Sequence, residues 1–305
     1  MPQIPRVSHY IGGAAVGTIY RVDKDGGGYT IIHRFTNNVS GGNPSARLLA
    51  GQDGRLYGVT ETGGPSGGGV VFAISETGTG FTPLKTFAST GTGLRTPKGA
   101  LIQDANGMLY GTASLGGTDG FGGVFTLQTN GGGFTVMHVF SASGGDGRQP
   151  EAGLAFGDDG YLYGVTRFGG GSVNGSLFRI KTDGSGYAKL RAFTGTGGDG
   201  GNPVAALARG PDGTLYGTTS AGGGRNQGTA FRINVPAVTL GVIRLGGGSL
   251  RLSWTNSVGG VLETSPNLVP NSWSPAPGAN QQPDGSWQLD VTPGEPMRFY
   301  EVKAQ

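Results

Sequence analysis

Short apolar runs alternate with glycine-rich polar turns along the first 235 residues, and the runs recur at a fixed interval. The triplet Leu-Tyr-Gly returns every 53 residues after an Asp-Gly or Asn-Gly turn, with copies that begin at Leu56, Leu109, Leu162 and Leu215. Asp-Gly and Asn-Gly supply the positive φ angles that tight hairpin turns need. The pattern therefore predicts antiparallel strands in a tandem repeat.

Each repeat contains four apolar segments, which we call strands A to D. Strand A follows a proline and has small residues such as Ala46 and Gly99, and strand B carries Leu-Tyr-Gly. Strand C follows a Gly-Gly pair and contains a Phe such as Phe72, and strand D ends in another Phe such as Phe87. Four strands in about 50 residues are typical of a propeller blade, whose innermost strand favours small side chains.

We predict an all-β fold with a β-propeller of about five blades, two of which are incomplete. Residues 7–36 supply a degenerate strand B followed by strands C and D, whereas the last repeat has no recognisable strand D before Pro236. Pairing of N-terminal with C-terminal strands would close the ring and remove exposed edges. A four-bladed ring and an open arc cut from a longer array are the alternatives.

The repeat stops at Pro236, and alternating apolar positions such as Leu250, Leu252 and Trp254 replace it. About six short strands in this stretch suggest a small β-sandwich of the immunoglobulin or fibronectin type. We therefore divide the chain into a propeller domain, residues 1–236, and a C-terminal module, residues 237–305. Trp273 and Trp287 of the module could contact glycans if exposed, but their spacing favours core positions.

Composition narrows the classes of function. Glycine accounts for 65 of 305 residues, but the glycines punctuate apolar runs, so a turn-rich β protein is favoured over a disordered chain. The net charge of +3 comes without a basic cluster, and we expect no nucleic-acid partner. No run approaches the roughly 20 apolar residues of a membrane span. The first residues lack the features of a signal peptide, which is consistent with an exported chain whose signal has been removed.

The repeat unit resembles a known family. Its elements are Pro-x-Ala/Gly-x-Leu, Asp-Gly-x-Leu-Tyr-Gly-Thr, Gly-Gly and Gly-x-x-Phe, and over about residues 12–235 they are similar to the GloVer tandem repeat of exported bacterial proteins, which occurs in Verrucomicrobia. Leu-Ser-Trp at 252–254 and Arg-Phe-Tyr at 298–300 resemble a C-terminal module of the same surface proteins. The resemblance implies a secreted or cell-surface bacterial protein, and it implies no catalytic residue or cofactor.

Chemistry-bearing motifs are sparse. There is no cysteine, and three histidines are too few for a His-rich metal site, so we expect no metal and no cofactor. One position of strand D is always basic, which indicates either a repeated anion contact or, as we favour, a solvated charge that blocks edge pairing; it is occupied by His33, Lys85, His138 and Arg191. The tyrosines of Leu-Tyr-Gly are read as packing residues with paired hydroxyls rather than as sugar-stacking platforms.

Residues that differ between repeats are better candidates for a site than residues that recur. The D–A connection and the B–C loop should share one face, and the candidate ligand-binding residues there are Arg47, Glu61, Lys98, Arg148, Arg167 and Asp199. Glu151 and Asp146 are candidate catalytic carboxylates. Ordinary surface charge explains these residues more readily than catalysis does.

The leading hypothesis is a non-enzymatic, secreted or surface-attached module that binds carbohydrate or another extracellular polymer, with the C-terminal module as spacer or anchor. The first alternative is a carbohydrate-active enzyme, either a glycosidase or a polysaccharide lyase. The second alternative is a structural or adhesive protein whose repeats stack between chains. The pattern predicts no particular oligomeric state.

Overall fold

The computed structural model describes residues 6–8, 15–235, 240–255, 261–265, 273–282, 286–292 and 298–303. The described part is all-β, apart from short 3-10 turns at Ser143–Gly145 and Gly246–Gly248. It contains no helix long and apolar enough to cross a membrane. The chain divides into two compact units, of which the first comprises Met1–Ala155, Tyr163–Arg209 and Tyr216–Arg232, and the second comprises Phe156–Leu162, Gly210–Leu215 and Ile233–Gln305.

The repeats form five antiparallel groups of strands, numbered I to V along the chain. Repeat I has strands B, C and D at Arg6–Ser8, Ala15–Arg21 and Thr30–Thr36. Strands A to D lie at Leu49–Ala50, Arg55–Thr60, Gly67–Ser75 and Thr82–Ala88 in repeat II, and at Ala155–Phe156, Tyr161–Thr166, Ser176–Lys181 and Ala188–Ala192 in repeat IV. In repeat III they lie at Arg95–Pro97 with Ile102–Gln103, Leu109–Leu115, Gly123–Leu127 and Thr135–Val139. Within the described residues, repeat V comprises strands A, B and C, at Ala208–Arg209, Leu215–Thr219 and Thr229–Ile233.

Neighbouring strands pair in the order A-B-C-D, as the sequence predicts. Among the described residues, the strands of repeat I pair only with one another, and strand C of repeat V pairs only with its own strand B. Exchange of strands between the N-terminal and last repeats, one expectation from the sequence, is therefore not seen in this part of the chain.

Strand A is split, a feature that the repeat pattern does not predict. In repeat III, Pro97 pairs with Ala113 and Gln103 pairs with Leu109, while the residues between them leave the ladder. Gly99 lies in this break, and a Cβ there would collide with the carbonyl oxygen of Ala152 in the next repeat. Adjacent repeats thus approach backbone to backbone, which explains the small residues but places them in a break rather than in a regular strand.

Apolar contacts between successive repeats form the core. The Phe that ends each strand D meets the Phe of strand C in the next repeat, in the pairs Phe35–Phe72, Phe87–Phe125, Phe140–Phe178 and Phe193–Phe231, at centroid distances of 5.2–5.5 Å. Strands B and C of repeats II to IV are consequently buried on both faces for most of their length. Each repeat is stabilised chiefly by the repeats on either side of it.

The Gly-Gly pairs turn the chain between strands B and C. Gly116 and Gly117 have φ of +89° and +81°, a conformation that residues with a side chain rarely adopt. A Cβ on Gly116 would also collide with the carbonyl oxygen of Gly93. Glycine is required at this position by conformation and by space together.

The second unit contains two further antiparallel sheets. One has the order Leu240–Arg244, Leu250–Thr255, Ser286–Val291 and Asn280–Gln281, and the other has the order Ser274–Pro275, Val261–Ser265 and Phe299–Lys303. Leu252 and Trp254 of the first sheet share a core with Leu262 of the second, and Trp287 packs against this core. Trp287 and Trp273 are both half-buried, and Trp287 is the one of the two that packs against this core.

Candidate functional site

The loops at one end of the sheets are joined by backbone pairing. The D–A connection at Gly147–Arg148 pairs with Phe168–Gly169 of the B–C loop, and Gly200–Gly201 pairs with Ala221–Gly222 in the same way one repeat later. The expectation that the D–A and B–C connections share a face is confirmed. We call this surface the loop face.

A left-handed residue before each repeat proline fixes the loop face. Asn43, Thr96, Gln149 and Asn202 have φ between +54° and +57°. The N–H of Gln149 donates to the carbonyl of Phe121 in the preceding repeat at 2.8 Å, and its carbonyl accepts from the N–H of Arg167 at 3.0 Å. The D–A connections at Gln149 and Asn202 are thereby each tied to two B–C loops, so side chains from neighbouring repeats are held close together.

Glu151 is an ion-pair acceptor at the junction of repeats III and IV. Its carboxylate lies 3.0 Å from Lys98 Nζ and 3.1 Å from Arg167 Nη1. The Glu151 side chain is 12% exposed, compared with 31% for Lys98 and 40% for Arg167. Three of the predicted residues therefore meet, and the two cations are the groups that face solvent.

Arg148 extends this group through two aromatic rings. Its guanidinium lies 5.7 Å from the ring centroid of Phe121 and 5.8 Å from that of Phe168, while the Arg167 guanidinium lies 4.9 Å from Phe168. Within the described residues Arg148 has no carboxylate partner, and the buried Nε of Arg167 makes no hydrogen bond. We call these six residues the loop-face cluster: Lys98, Phe121, Arg148, Glu151, Arg167 and Phe168.

Asp146 lies apart from the bonds of this cluster and closes its own loop. It accepts hydrogen bonds from His138 Nε2 at 2.9 Å, from the Tyr187 hydroxyl and from the N–H of Gly147 at 2.8 Å. Burial alone would raise the pKa of Asp146, but the hydrogen bonds from His138 and Tyr187 outweigh it and lower the pKa. The residue is therefore held as a carboxylate.

Asp199 has the same role in the following repeat. Arg191 Nη2 donates to it at 2.8 Å, as do the N–H of Thr194 at 2.8 Å and the N–H of Gly200 at 2.9 Å. Burial opposes ionisation of Asp199, yet the hydrogen bonds from Thr194 and Arg191 hold its pKa at about 2. Both aspartates have full sets of local donors, which explains them as loop-closing residues.

In repeats I to III, the basic residue of strand D contacts the aromatic residue directly before strand D of the next repeat. His33 stacks on Phe81 at 4.4 Å, Lys85 Nζ lies 4.2 Å from the Phe134 centroid, and His138 stacks on Tyr187 at 3.6 Å. The favoured expectation of solvated edge charges is wrong for the two histidines, which lie between repeats. Only Arg191, 56% exposed and paired with Asp199, resembles an edge charge.

The remaining predicted residues do not join the cluster. Arg47 is exposed and Glu61 is half-buried, and neither forms an ion pair with another described residue. Phe121 and Phe168 were missed, although they stand where the other repeats have non-aromatic residues. Comparing aromatic as well as charged positions between repeats would have found them.

The tyrosines of Leu-Tyr-Gly are packing residues in repeats II to IV. Tyr57, Tyr110 and Tyr163 are at most 3% exposed, and the hydroxyls of Tyr57 and Tyr110 donate to Asp53 and Asp104 at 2.5 and 2.9 Å. Burial, together with the facing carboxylate, raises the pKa of Tyr57 to about 12. Tyr216 of repeat V differs, because it is 45% exposed. In the part of the chain that the structure describes, no group of His, Asp and Glu could hold a metal ion.

The family profile of the Gloeobacter/Verrucomicrobia repeat matches residues 7–156 and 141–249. The chain belongs to this family. The resemblance stated from the repeat unit is thereby confirmed, while residues 250–305 lie outside both matches. No curated protein matches the chain.

Two solved structures are similar to this repeat protein at low identity. TolB from Acinetobacter baumannii is 14% identical, with 84% of this chain and 61% of TolB covered and a TM-score of 0.48. The gluconolactonase XC5397 from Xanthomonas campestris is 16% identical, with coverages of 83% and 94% and a TM-score of 0.44. The chain thus spans about three fifths of the length of TolB. Similarity at this level transfers no residue role to this chain.

Proposed function

We propose that this protein is a secreted or surface-attached binding module, and that its ligand is an acidic extracellular polysaccharide bound at the loop-face cluster. The observation that carries the proposal is the arrangement of two cations paired with one carboxylate and a third cation, Arg148, beside two aromatic rings. Lys98, Arg148 and Arg167 against Glu151 leave the cluster with a net charge of +2, since three positive charges meet one negative charge.

Arg148 is the best-placed ligand contact. A guanidinium recognises a carboxylate or sulfate through paired hydrogen bonds, and Arg148 has no carboxylate partner within the described residues. The rings of Phe121 and Phe168 restrict its orientation, which lowers the entropy lost on binding.

Catalysis by Glu151 or Asp146 has less support. A glycosidase needs one carboxyl group with a raised pKa that can donate a proton. Asp146 has a lowered pKa, and Glu151 accepts ion pairs from two cations. Asp146 is thus held as a carboxylate, and Glu151 serves as an ion-pair acceptor for Lys98 and Arg167.

We infer that the repeats are the blades of a propeller-like array and that the second unit contains an immunoglobulin-type sandwich. The strands of that unit, counted along the chain, occur in the orders one-two-six-five and four-three-seven. An immunoglobulin constant-type fold has strands A-B-E-D in one sheet, which matches the first order, and C-F-G in the other. The second sheet here supplies C and F as strands three and seven, with an additional strand, four, beside C and no G among the described residues. The sandwich is consistent with the role of spacer or anchor.

Binding to a matched panel of polysaccharides tests the proposal. The purified protein is titrated with polygalacturonate and alginate as acidic glycans and with dextran as a neutral one, and the products are analysed for cleavage. We expect saturable binding to an acidic glycan, weakened by salt because the contacts are between exposed charges. Arg148→Gln should lower the affinity roughly tenfold, the equivalent of one charged hydrogen bond.

Arg55→Gln is the matched control, because it makes the same charge change at the start of strand B, where Arg55 donates to Gly80 and Thr82 away from the loop face. Equal weakening by both variants would mean a non-specific charge effect and would remove the proposed site. Equal binding of single-stranded DNA would replace the glycan with polyanions in general. New reducing ends or unsaturated sugars would make the protein an enzyme instead.

A further inference from the structure

An aromatic pair marks the face that each repeat presents to the repeat before it. The pairs are Phe72–Phe81, Phe125–Phe134 and Phe178–Tyr187, with centroids 5.3–5.9 Å apart. In each case the preceding repeat covers the pair with the Phe and the basic residue of its strand D, as Phe35 and His33 do for Phe72 and Phe81. The covering contact is the same at three successive interfaces.

Repeat I carries the same pair without a cover. Tyr20 and Tyr29 lie 5.3 Å apart at an angle of 35°, in the positions of Phe72 and Phe81. The equivalence is structural, because the register between strands C and D shifts directly before Tyr20 and directly before Phe72. Tyr29 is 59% exposed, and the described residues place no strand-D Phe or basic side chain on it.

In repeat V, the face that carries the Leu-Tyr-Gly tyrosine, which in repeats II to IV is buried, is exposed. Tyr57, Tyr110 and Tyr163 are each at most 3% exposed, whereas Tyr216 at the same position is 45% exposed. Thr218, Ala230 and Arg232 beside it are exposed as well. Among the described residues, strand C of repeat V also has no strand D along its outer edge.

We propose that these two bare faces bind each other between copies of the chain, so that repeat I of one copy stacks on repeat V of the next. Inside the chain, the face that carries the Leu-Tyr-Gly tyrosine packs on the next repeat, as Tyr57 does in one core with Leu109 and Phe125. Among the described residues, repeat V presents this face without the Phe and basic residue of a strand D. Arg232 is a cation available for the tyrosine pair, as Lys85 is for Phe134 inside the chain. Within one chain both faces are exposed, so a second copy is the occupant that the structure favours.

The contact joins two different surfaces, so it propagates in one direction and builds a filament or a closed ring of chains. This inference does not rest on glycan binding, because Tyr20, Tyr29 and Tyr216 lie outside the loop-face cluster. Association would place many loop-face clusters on one assembly, which raises the avidity for a polymeric ligand.

Sedimentation velocity over a concentration series tests the proposal with variants that block one face each. Wild type should associate with rising concentration, and Tyr29→Asp and Tyr216→Lys should each sediment as monomers. A mixture of the two variants retains one intact face of each kind and should give a dimer that grows no further. Leu190→Lys, at a 41% exposed position of strand D in repeat IV, is the control and should behave as wild type.

Because the chain has no cysteine, single-cysteine variants check the geometry. Tyr29→Cys mixed with Tyr216→Cys should form an intermolecular disulfide, and neither variant should do so efficiently alone. A wild type that stays monomeric at every concentration would overturn the proposal. So would a Tyr29→Cys/Tyr216→Cys double variant that crosslinks within one chain at high dilution, since it would show that the repeats close on themselves.

Discussion

Burial between two repeats lowers the proton affinity of a histidine side chain. His33 stacks on Phe81, its Nε2 is buried without a hydrogen bond, and burial lowers its pKa below the ordinary value of 6.5. The unfolded chain therefore binds this proton more readily than the folded chain, and the free energy of unfolding falls as the pH drops below 6.5. His33→Phe should remove this contribution to the acid sensitivity.

The measurement is chemical denaturation of wild type and His33→Phe at pH 8 and pH 5. The variant should lose less stability than wild type between these pH values, because every other titratable group is the same in both proteins. Arg34→Gln, at the exposed neighbouring position, should keep the wild-type profile. Parallel profiles for His33→Phe and wild type would show that His33 is protonated without cost in the folded state.

The hydroxyl of a Leu-Tyr-Gly tyrosine stabilises the fold only where the next repeat covers it. Tyr110 is 3% exposed and donates to Asp104 at 2.9 Å, whereas Tyr216 is 45% exposed. Tyr110→Phe should cost about 1 kcal/mol of unfolding free energy because it leaves a carboxylate oxygen without this donor. Tyr216→Phe should be neutral within error. Equal effects in thermal or urea denaturation would mean that burial does not distinguish the two repeats.

Among the elements, the B–C turn should be the least tolerant of substitution. Gly116 and Gly54 both have positive φ, of +89° and +78°, but only at Gly116 would a Cβ collide with backbone atoms, whereas nothing lies within 4 Å at Gly54. Gly54→Ala should cost about 1 kcal/mol for the left-handed conformation alone. Gly116→Ala should cost at least about 3 kcal/mol, since the backbone of Gly93 and Leu94 must move as well. Urea denaturation of both variants measures the difference, and similar costs would show that the turn relaxes around the added methyl group.

Strands B, C and D could be located from the sequence because their signals are local. A turn dipeptide, an alternating apolar run and a Gly-Gly pair lie within a few residues of one another, for example around Leu109. The break in strand A could not be located, because it depends on the approach of Gly99 to Ala152 in another repeat. The basic residue of strand D was misread for the same reason, since the ring that it contacts lies about 50 residues away in the next repeat.

The candidate site was partly accessible to sequence reasoning. Divergence between repeats selected Lys98, Glu151 and Arg167, which the structure brings together, but it also selected Arg47 and Glu61, which stay apart from them. Charged residues that differ between repeats identify the loop face. Which of them form ion pairs depends on the left-handed residues, whose backbone hydrogen bonds tie the loops together. Those ties join different repeats, and no local pattern reports them.

At the scale of the whole molecule, stability should be graded along the repeats, because each repeat depends on its neighbours. Strands C of repeats II to IV are flanked by strand D and largely buried, whereas Thr229–Ile233 of repeat V lacks such a flank among the described residues and alternates between half-buried and exposed positions. Amide hydrogen exchange of the dilute protein should therefore be slower in Gly67–Ser75, Gly123–Leu127 and Ser176–Lys181 than in Thr229–Ile233.

The dependence of amide exchange on protein concentration tests the contact between copies. If repeat I of one chain covers repeat V of another, exchange in Leu215–Thr219 and Thr229–Ile233 should slow as the protein concentration rises, and exchange in Gly123–Leu127 should not change. The same concentrations should leave Tyr216→Lys unprotected in repeat V, because its bare face carries a new charge. If the exchange rates of repeat V were equally slow at every concentration, another segment of the same chain would be covering repeat V. The face around Tyr216 would then be buried within the monomer and would not bind a second copy.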